Sequence, residues 1–416
     1  MENNDVVPYP FWLKTLLVFG ITFLGLTILD GLQNNFTGWS IYDPLVPLVG
    51  QFLPQLNHPL SHEVNGSGDS SWQWAALVTQ LLVGVVLTGI YLAVDRKPRN
   101  YDRPFDYFWV LLRYFLLLNM FIYGFAKVFH MQMPAPSVGR LAQPYGESSP
   151  MGLLWTFVGY SKYYSAYVGW AEVIPGILLL FRRTALLGAL MAAVVMLNVF
   201  VLNMCFDVPV KIFSFLLFAM AVIIALPDLS RLWKIFITHE AVPAREIKPF
   251  FSQKKWQTVG LVLKALLLLG MVGGQIFFYF LQMSKPETKP LLHGLWDVKE
   301  IQRNHQTVAP LLTDSTYWRK FMVNWEGQAS IKMANDSLRR FEFALDSNQT
   351  YLNIHPRKDP SNQYRLRIER PADHQMILSG LWGTDSIWVR MERYDEQQFL
   401  LMRRGFHWVN EMPFNR

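Results

Sequence analysis

Two periodicities divide the chain. Through about residue 282, long unbroken apolar runs are separated by short polar segments, and beyond it apolar and polar residues alternate over short stretches. A helix rising 1.5 Å per residue needs about 20 apolar residues to cross a hydrocarbon layer of about 30 Å. On that measure the pattern predicts seven membrane-spanning helices, at 11–32, 72–94, 105–130, 163–182, 184–206, 209–227 and 257–282. The run MGLLWTFVGY at 151–160 is too short to span and predicts an interfacial or re-entrant helix. After residue 283, runs such as KFMVNWEG, RRFEFALD, YRLRIER and SIWVRMERY alternate with a period of two, and ANDS, DSNQ and GTDS mark turns between them. About eight antiparallel strands in so short a segment predict a small meander barrel.

The expected fold class is therefore an α-helical polytopic membrane protein of about seven transmembrane helices with a C-terminal all-β meander barrel domain. The expected divisions are two N-terminal helices with an intervening loop at 33–71 (1–104), a four-helix core (105–228), an interfacial linker (229–256), a seventh helix (257–282) and the barrel (283–416).

Charge sharpens this division. Asp, Glu, Lys and Arg together number 34 in residues 1–282 and 35 in residues 283–416, so the second, shorter part has the density of a water-exposed domain. The net charge of +7 lies largely in short connections between apolar runs. It reads there as a topology determinant and gives no nucleic-acid partner. Loop 95–104 (DRKPRNYDRP), Arg182 with Arg183, and segment 228–256 are basic, whereas loop 33–71 has no Lys or Arg and 131–150 has only Arg140. The positive-inside rule then places the N-terminus in the cytoplasm and, with seven crossings, the C-terminal domain outside a bacterial inner membrane, in a periplasm. The first apolar run is long enough to span and lacks a small-residue cleavage site, which predicts an uncleaved helix. A single cysteine, Cys205, excludes an intrachain disulfide and a cysteine-based zinc site.

Charges inside the apolar runs are the candidate chemistry. Glu172 lies in the middle of YVGWAEVIPGILLLF, where a carboxylate costs about 2.5–3.5 kcal/mol on insertion scales. The third run carries Arg113, Asn119, Tyr123, Lys127 and His130, of which the last four fall on one helical face. Arg113 lies within about 40° of Lys127 on the helical wheel. Depth along the helices brings Glu172 near Arg113 and within reach of Lys127, which predicts pairing with one or both. Ser165, Gly169, Glu172 and Gly176 make a face on which another helix can approach closely. The fifth run adds Asn198, Asn203 and Cys205. The candidate intramembrane polar site is Arg113, Asn119, Tyr123, Lys127, Glu172 and Asn198, with no metal. Two readings stay open: a structural clamp that fixes helix register, or a polar pocket that binds a headgroup or relays protons.

Other patterns carry less. His58 and His62, with Glu63 beside them, have metal-like spacing, but Pro59 breaks the helix that such spacing requires. Tyr160, Tyr163, Tyr164, Tyr167 and Trp170 read as an interfacial aromatic belt.

Arg113, Tyr123-Gly124 and Lys127, followed by EVIPGILLLFRRTALLGAL from Glu172, together resemble the first and second helix signatures of the DoxX membrane-protein family, over about residues 105–228. NVFVLNMCFDVPVKIFS is similar to the DoxX-like proteins of Bacteroidetes. The resemblance implies a redox- or quinone-linked membrane component, with either a quinone bound between helices or a redox partner protein that carries the cofactor. Where many relatives carry a late histidine, this chain has Asn198 and Asn203. Gly294-Leu295-Trp296 and the late Arg403/Arg404 resemble the two ends of lipocalin-like barrels, in which an arginine packs on the tryptophan. The alternative is a non-enzymatic membrane scaffold or envelope-complex subunit whose β-domain binds a partner or a small apolar ligand. The lipid bilayer is a partner in either case.

Overall fold

A computed structural model describes residues 10–37, 40–53, 66–95, 102–243, 253–284 and 291–415. Two compact units emerge: Met1–Pro134 with Ser149–Tyr279, and Ala135–Ser148 with Phe280–Arg416.

The first unit is helical. Its main helices are α1 (Phe11–Thr37), α2 (Ser71–Val94), α3 (Asp102–Val128), α4 (Pro150–Tyr160), α5 (Lys162–Leu179), α6 (Ala185–Cys205), α7 (Lys211–Ala225) and α8 (Lys254–Ser284). Among the described residues, six stretches are long and apolar enough to cross a membrane: Phe11–Gly31, Ser71–Val94, Pro104–Val128, Ala185–Cys205, Lys211–Thr238 and Lys254–Leu281. The expected run 163–182 is also helical, as α5, but is not among these six. The helix that falls short is α5, which has only 18 residues and spends several of them on Lys162, Glu172 and tyrosines. The run predicted to end at 227 instead continues helically to Thr238. A proline such as Pro227 is tolerated there because it falls in the first turn of the following helical segment.

Local chemistry sets several helix ends. Ser149 caps α4 by accepting from Gly152 N at 3.1 Å, with Pro150 at the first helical position. Asp69, distant in sequence, caps α7: its carboxylate accepts from Lys211 N at 2.7 Å and Ile212 N at 3.0 Å. A carboxylate there satisfies two donors that the helix cannot and complements its positive dipole end.

α3 is the centre of this unit. Over half of its apolar window is buried (56%), whereas none of the α8 window is. Leu112, Leu116 and Phe121 of α3 pack with Leu179, Leu180, Met220, Ala221 and Ile224 in one apolar cluster. Along α8, Leu261, Leu263, Leu269 and Phe277 face outward. Apolar exposure on this scale makes acyl chains the fitting surroundings.

The second unit is a closed antiparallel barrel. Its strands are β1 (Gly294–Arg303), β2 (Gln306–Thr307), β3 (Trp318–Trp325), β4 (Gln328–Met333), β5 (Leu338–Leu345), β6 (Tyr351–Pro356), β7 (Tyr364–Ala372), β8 (Gln375–Trp382) and β9 (Asp385–Tyr394). Eight of them run up and down in sequence order, and β9 returns to β1 from Leu295↔Tyr394 to Arg303↔Ile387, while the two-residue β2 extends β1. Closure leaves no long unpaired edge. The period of two puts Phe321, Ile331, Leu352, Leu366, Met376, Leu378 and Met391 inside, so large apolar side chains fill the interior. Phe321 is fully buried, so Phe321→Ala should cost about 3–5 kcal/mol. Chemical denaturation of the full chain, followed by near-ultraviolet circular dichroism, checks this.

Two details differ from expectation. Residues 135–148, expected as a simple loop within the helical part, belong to the barrel unit: Val138 packs with Leu295 and Met322, and Gly139 N donates to Asn324 Oδ1 at 3.2 Å. The expected arginine–tryptophan contact at the barrel end is replaced by local partners. Trp296 Nε1 donates to Leu292 O at 2.9 Å, and the Arg404 guanidinium lies 4.4 Å over the Phe414 ring.

Candidate functional site

The site lies where α3 meets α5. Gly124 and Gly169 set the distance between them. A Cβ on Gly169 would sit 2.5 Å from Gly124 O and 2.6 Å from Val128 N, and one on Gly124 would sit 2.7 Å from Val173 Cγ2. Only hydrogen at both positions lets the two backbones approach this closely. Ser165, fully buried on the same face, donates its hydroxyl to Lys127 O at 2.8 Å and fastens the N-terminal turn of α5 to the C-terminal turn of α3. Gly176 continues the face against the Phe121 ring.

This contact brings the opposite charges together. Lys127 Nζ lies 2.8 Å from Glu172 Oε2, with side-chain exposures of 7% and 1%. Lys127 Nζ also donates to Tyr123 O at 3.4 Å and lies 5.8 Å from the Tyr123 ring centroid. Glu172 Oε1 is buried without a hydrogen-bond partner. The arrangement neutralises both charges, and the tight glycine packing excludes bulk from one side of the pair.

The other predicted residues lie elsewhere or serve local needs. Arg113 is buried but forms no ion pair with Glu172. Its guanidinium lies 5.5 Å from the Tyr114 ring centroid, and its Nε has no hydrogen-bond partner. Asn119 Nδ2 turns back to Phe115 O at 2.9 Å, one helical turn earlier. The Tyr123 ring is part-exposed and lies 6.1 Å from that of Phe213. Asn198 is on an exposed face of α6 and does not join the pair. Asn203 is buried instead and donates to Ser214 Oγ at 3.0 Å, joining α6 to α7. His58, His62 and Glu63 lie outside the described residues.

A second polar cluster was missed. Gln80 of α2 donates to the Tyr42 hydroxyl and to Asp30 Oδ2 of α1, the latter at 3.3 Å, and Thr27 donates to Gln80 Oε1 at 3.3 Å. Ser40 donates to Asp30. Burial, followed by the Asp30 charge, holds the Tyr42 phenol far above its ordinary pKa. The sequence did carry a sign of this cluster, since Asp30 and Gln80 are polar residues within predicted spans.

No family model matches the chain, and no solved structure matches it. A segment of 137 residues is 34% identical to the uncharacterized protein YwoB of Bacillus subtilis strain 168, covering 32% of this chain and 85% of that protein.

Proposed function

The chain belongs to the family of the uncharacterized Bacillus subtilis protein YwoB, and from that premise we propose that it is a membrane-embedded scaffold whose helical unit carries the β-barrel domain for work outside a bacterial inner membrane. In this reading α3, α5, α6 and α7 form a DoxX-like four-helix core, and Lys127–Glu172 is the clamp that fixes α3 against α5. The observation that carries the reading is the pair itself, at 2.8 Å and almost fully buried beside a glycine contact with no room for a methyl group. A pair so enclosed suits register setting better than exchange of a substrate. It also fits the general behaviour of buried ion pairs, whose loss of one partner costs far more than the pair contributes.

A second reading is a redox- or quinone-linked component, as the DoxX resemblance implies. Glu172 Oε1 favours it, because a buried acceptor without a partner can take a quinol hydroxyl or a proton. Solvent extraction of the purified protein separates the two readings. The scaffold predicts no stoichiometric quinone. About one quinone per chain, lost in Glu172→Gln, would establish the redox reading instead.

The proposed orientation places the N-terminus in the cytoplasm and residue 416 outside, and it requires α5 to cross as well. Its 18 residues reach about 27 Å, nearly the hydrocarbon thickness. Alkaline phosphatase fused after residue 416 should be active, and the same enzyme fused at residue 95 should be inactive. Equal activity at both positions would show that α5 does not cross.

A further inference from the structure

A separate group of cations lies toward the N-terminal ends of α3 and α8. Arg113 of α3, Lys264 of α8 and Arg182 in the turn after α5 come together there: the antiparallel contacts of Gly124 with Gly169 and of Phe121 with Gly176 bring Arg113 level with the Arg182 turn, and Lys264 lies against Phe181, the residue before Arg182. Arg182 has a carboxylate partner, Asp106, at 3.7 Å across a largely exposed contact. Arg113 and Lys264 have no carboxylate partner among the described residues. Arg113 is only 6% exposed, and its Nε makes no hydrogen bond. Its neighbours are the neutral Tyr114 at 5.5 Å and two further cations. Lys264 Nζ lies 5.8 Å from the Phe181 ring centroid, a weak neutral contact.

An isolated cation in an apolar setting is costly, and gathering three of them adds mutual repulsion. Side chains on a helix lean toward its N-terminus. Arg113 and Lys264 therefore both reach toward the bilayer face where α3 and α8 begin and where the Arg182 turn lies. A compact anion presented at that face would supply the countercharge that Arg113 and Lys264 lack among the described residues, and would meet a guanidinium fork suited to phosphate oxygens.

We propose that Arg113, Arg182 and Lys264 form a phosphate-binding site, distinct from the Lys127–Glu172 pair, that accepts the phosphate of an anionic phospholipid headgroup at the membrane surface. Free inorganic phosphate offers the same chemistry, so the experiment must separate the two sources. The full chain is placed in nanodiscs of phosphatidylcholine alone, or of phosphatidylcholine with phosphatidylglycerol, and its thermal unfolding and bound phospholipid are measured. Inorganic phosphate is added in a third arm. The expected result is a higher unfolding temperature and selective retention of phosphatidylglycerol, with no effect of inorganic phosphate. Stabilisation by inorganic phosphate in phosphatidylcholine alone would assign the site to the free anion. Arg113→Gln should reduce the preference for phosphatidylglycerol about tenfold, the loss of one charge-assisted contact. Lys264→Gln, at a half-buried position that is safer for folding, should lower it in the same direction. Equal behaviour of the wild type in both lipids and in phosphate overturns the proposal, as does full selectivity in both variants.

Discussion

Glu172→Leu should destabilise the helical unit by about 3–5 kcal/mol, because it leaves the Lys127 ammonium buried with no countercharge. Lys127→Met should cost a similar amount by stranding the carboxylate. Glu172→Gln keeps the shape and one acceptor, and should fall between these and the wild type. Reversible unfolding in mixed detergent micelles, followed by helical circular dichroism, measures all three. Exposed pairs provide the contrast. Lys234–Glu240, 3.6 Å apart with both side chains about half-exposed, should respond by less than about 1 kcal/mol to removal of either partner.

Gly169→Val is the second large effect. Its Cβ would lie 2.5 Å from a backbone oxygen and 2.6 Å from a backbone nitrogen of α3. Neither atom can move without the helix, so α3 and α5 must separate. Overpacking alone costs about 1–3 kcal/mol, and the separation also lengthens the 2.8 Å Lys127–Glu172 contact. The loss should therefore approach that of Glu172→Leu. Gly176→Ala meets the edge of the Phe121 ring at 2.7 Å, a side chain that can turn, and should cost less. Gly270→Ala on α8 has nothing within 4 Å and should stabilise its helix by up to about 1 kcal/mol. The same unfolding assay ranks the three, and equal effects at Gly169 and Gly270 would remove the glycine contact from the account.

These residues show what the sequence could and could not convey. Glu172 in an apolar run and the Ser165, Gly169, Gly176 spacing pointed to a close helix contact with a charge pair, and both are present. The sequence left Arg113 and Lys127 as alternatives because both lie toward one side of the helical wheel, and a depth counted from the span ends inherits the uncertainty of those ends. Lys127 meets the carboxylate, and Arg113 sits with Tyr114 instead. Asn198 shows the complementary limit. Its seven-residue spacing from Cys205 puts both on one helical face, which is exposed, but periodicity identifies a face without saying what covers it. The alternating runs after residue 283 marked the strands well because a period of two is local. The membership of 135–148 in the barrel unit, through Val138 and Gly139, depends on contacts across more than 150 residues and leaves no local pattern. Asp69, which caps α7 from 142 residues away, is legible only once the chain is folded.

The most direct test of the clamp is a double-mutant cycle joining Lys127→Met, Glu172→Leu and the double variant, measured as unfolding free energy in detergent micelles. Strong coupling is expected. Each single change should cost about 3–5 kcal/mol, while the double variant, with an apolar pair of similar volume, should return to within about 1 kcal/mol of the wild type. Additive losses, with the double variant as unstable as the two single losses combined, would contradict it.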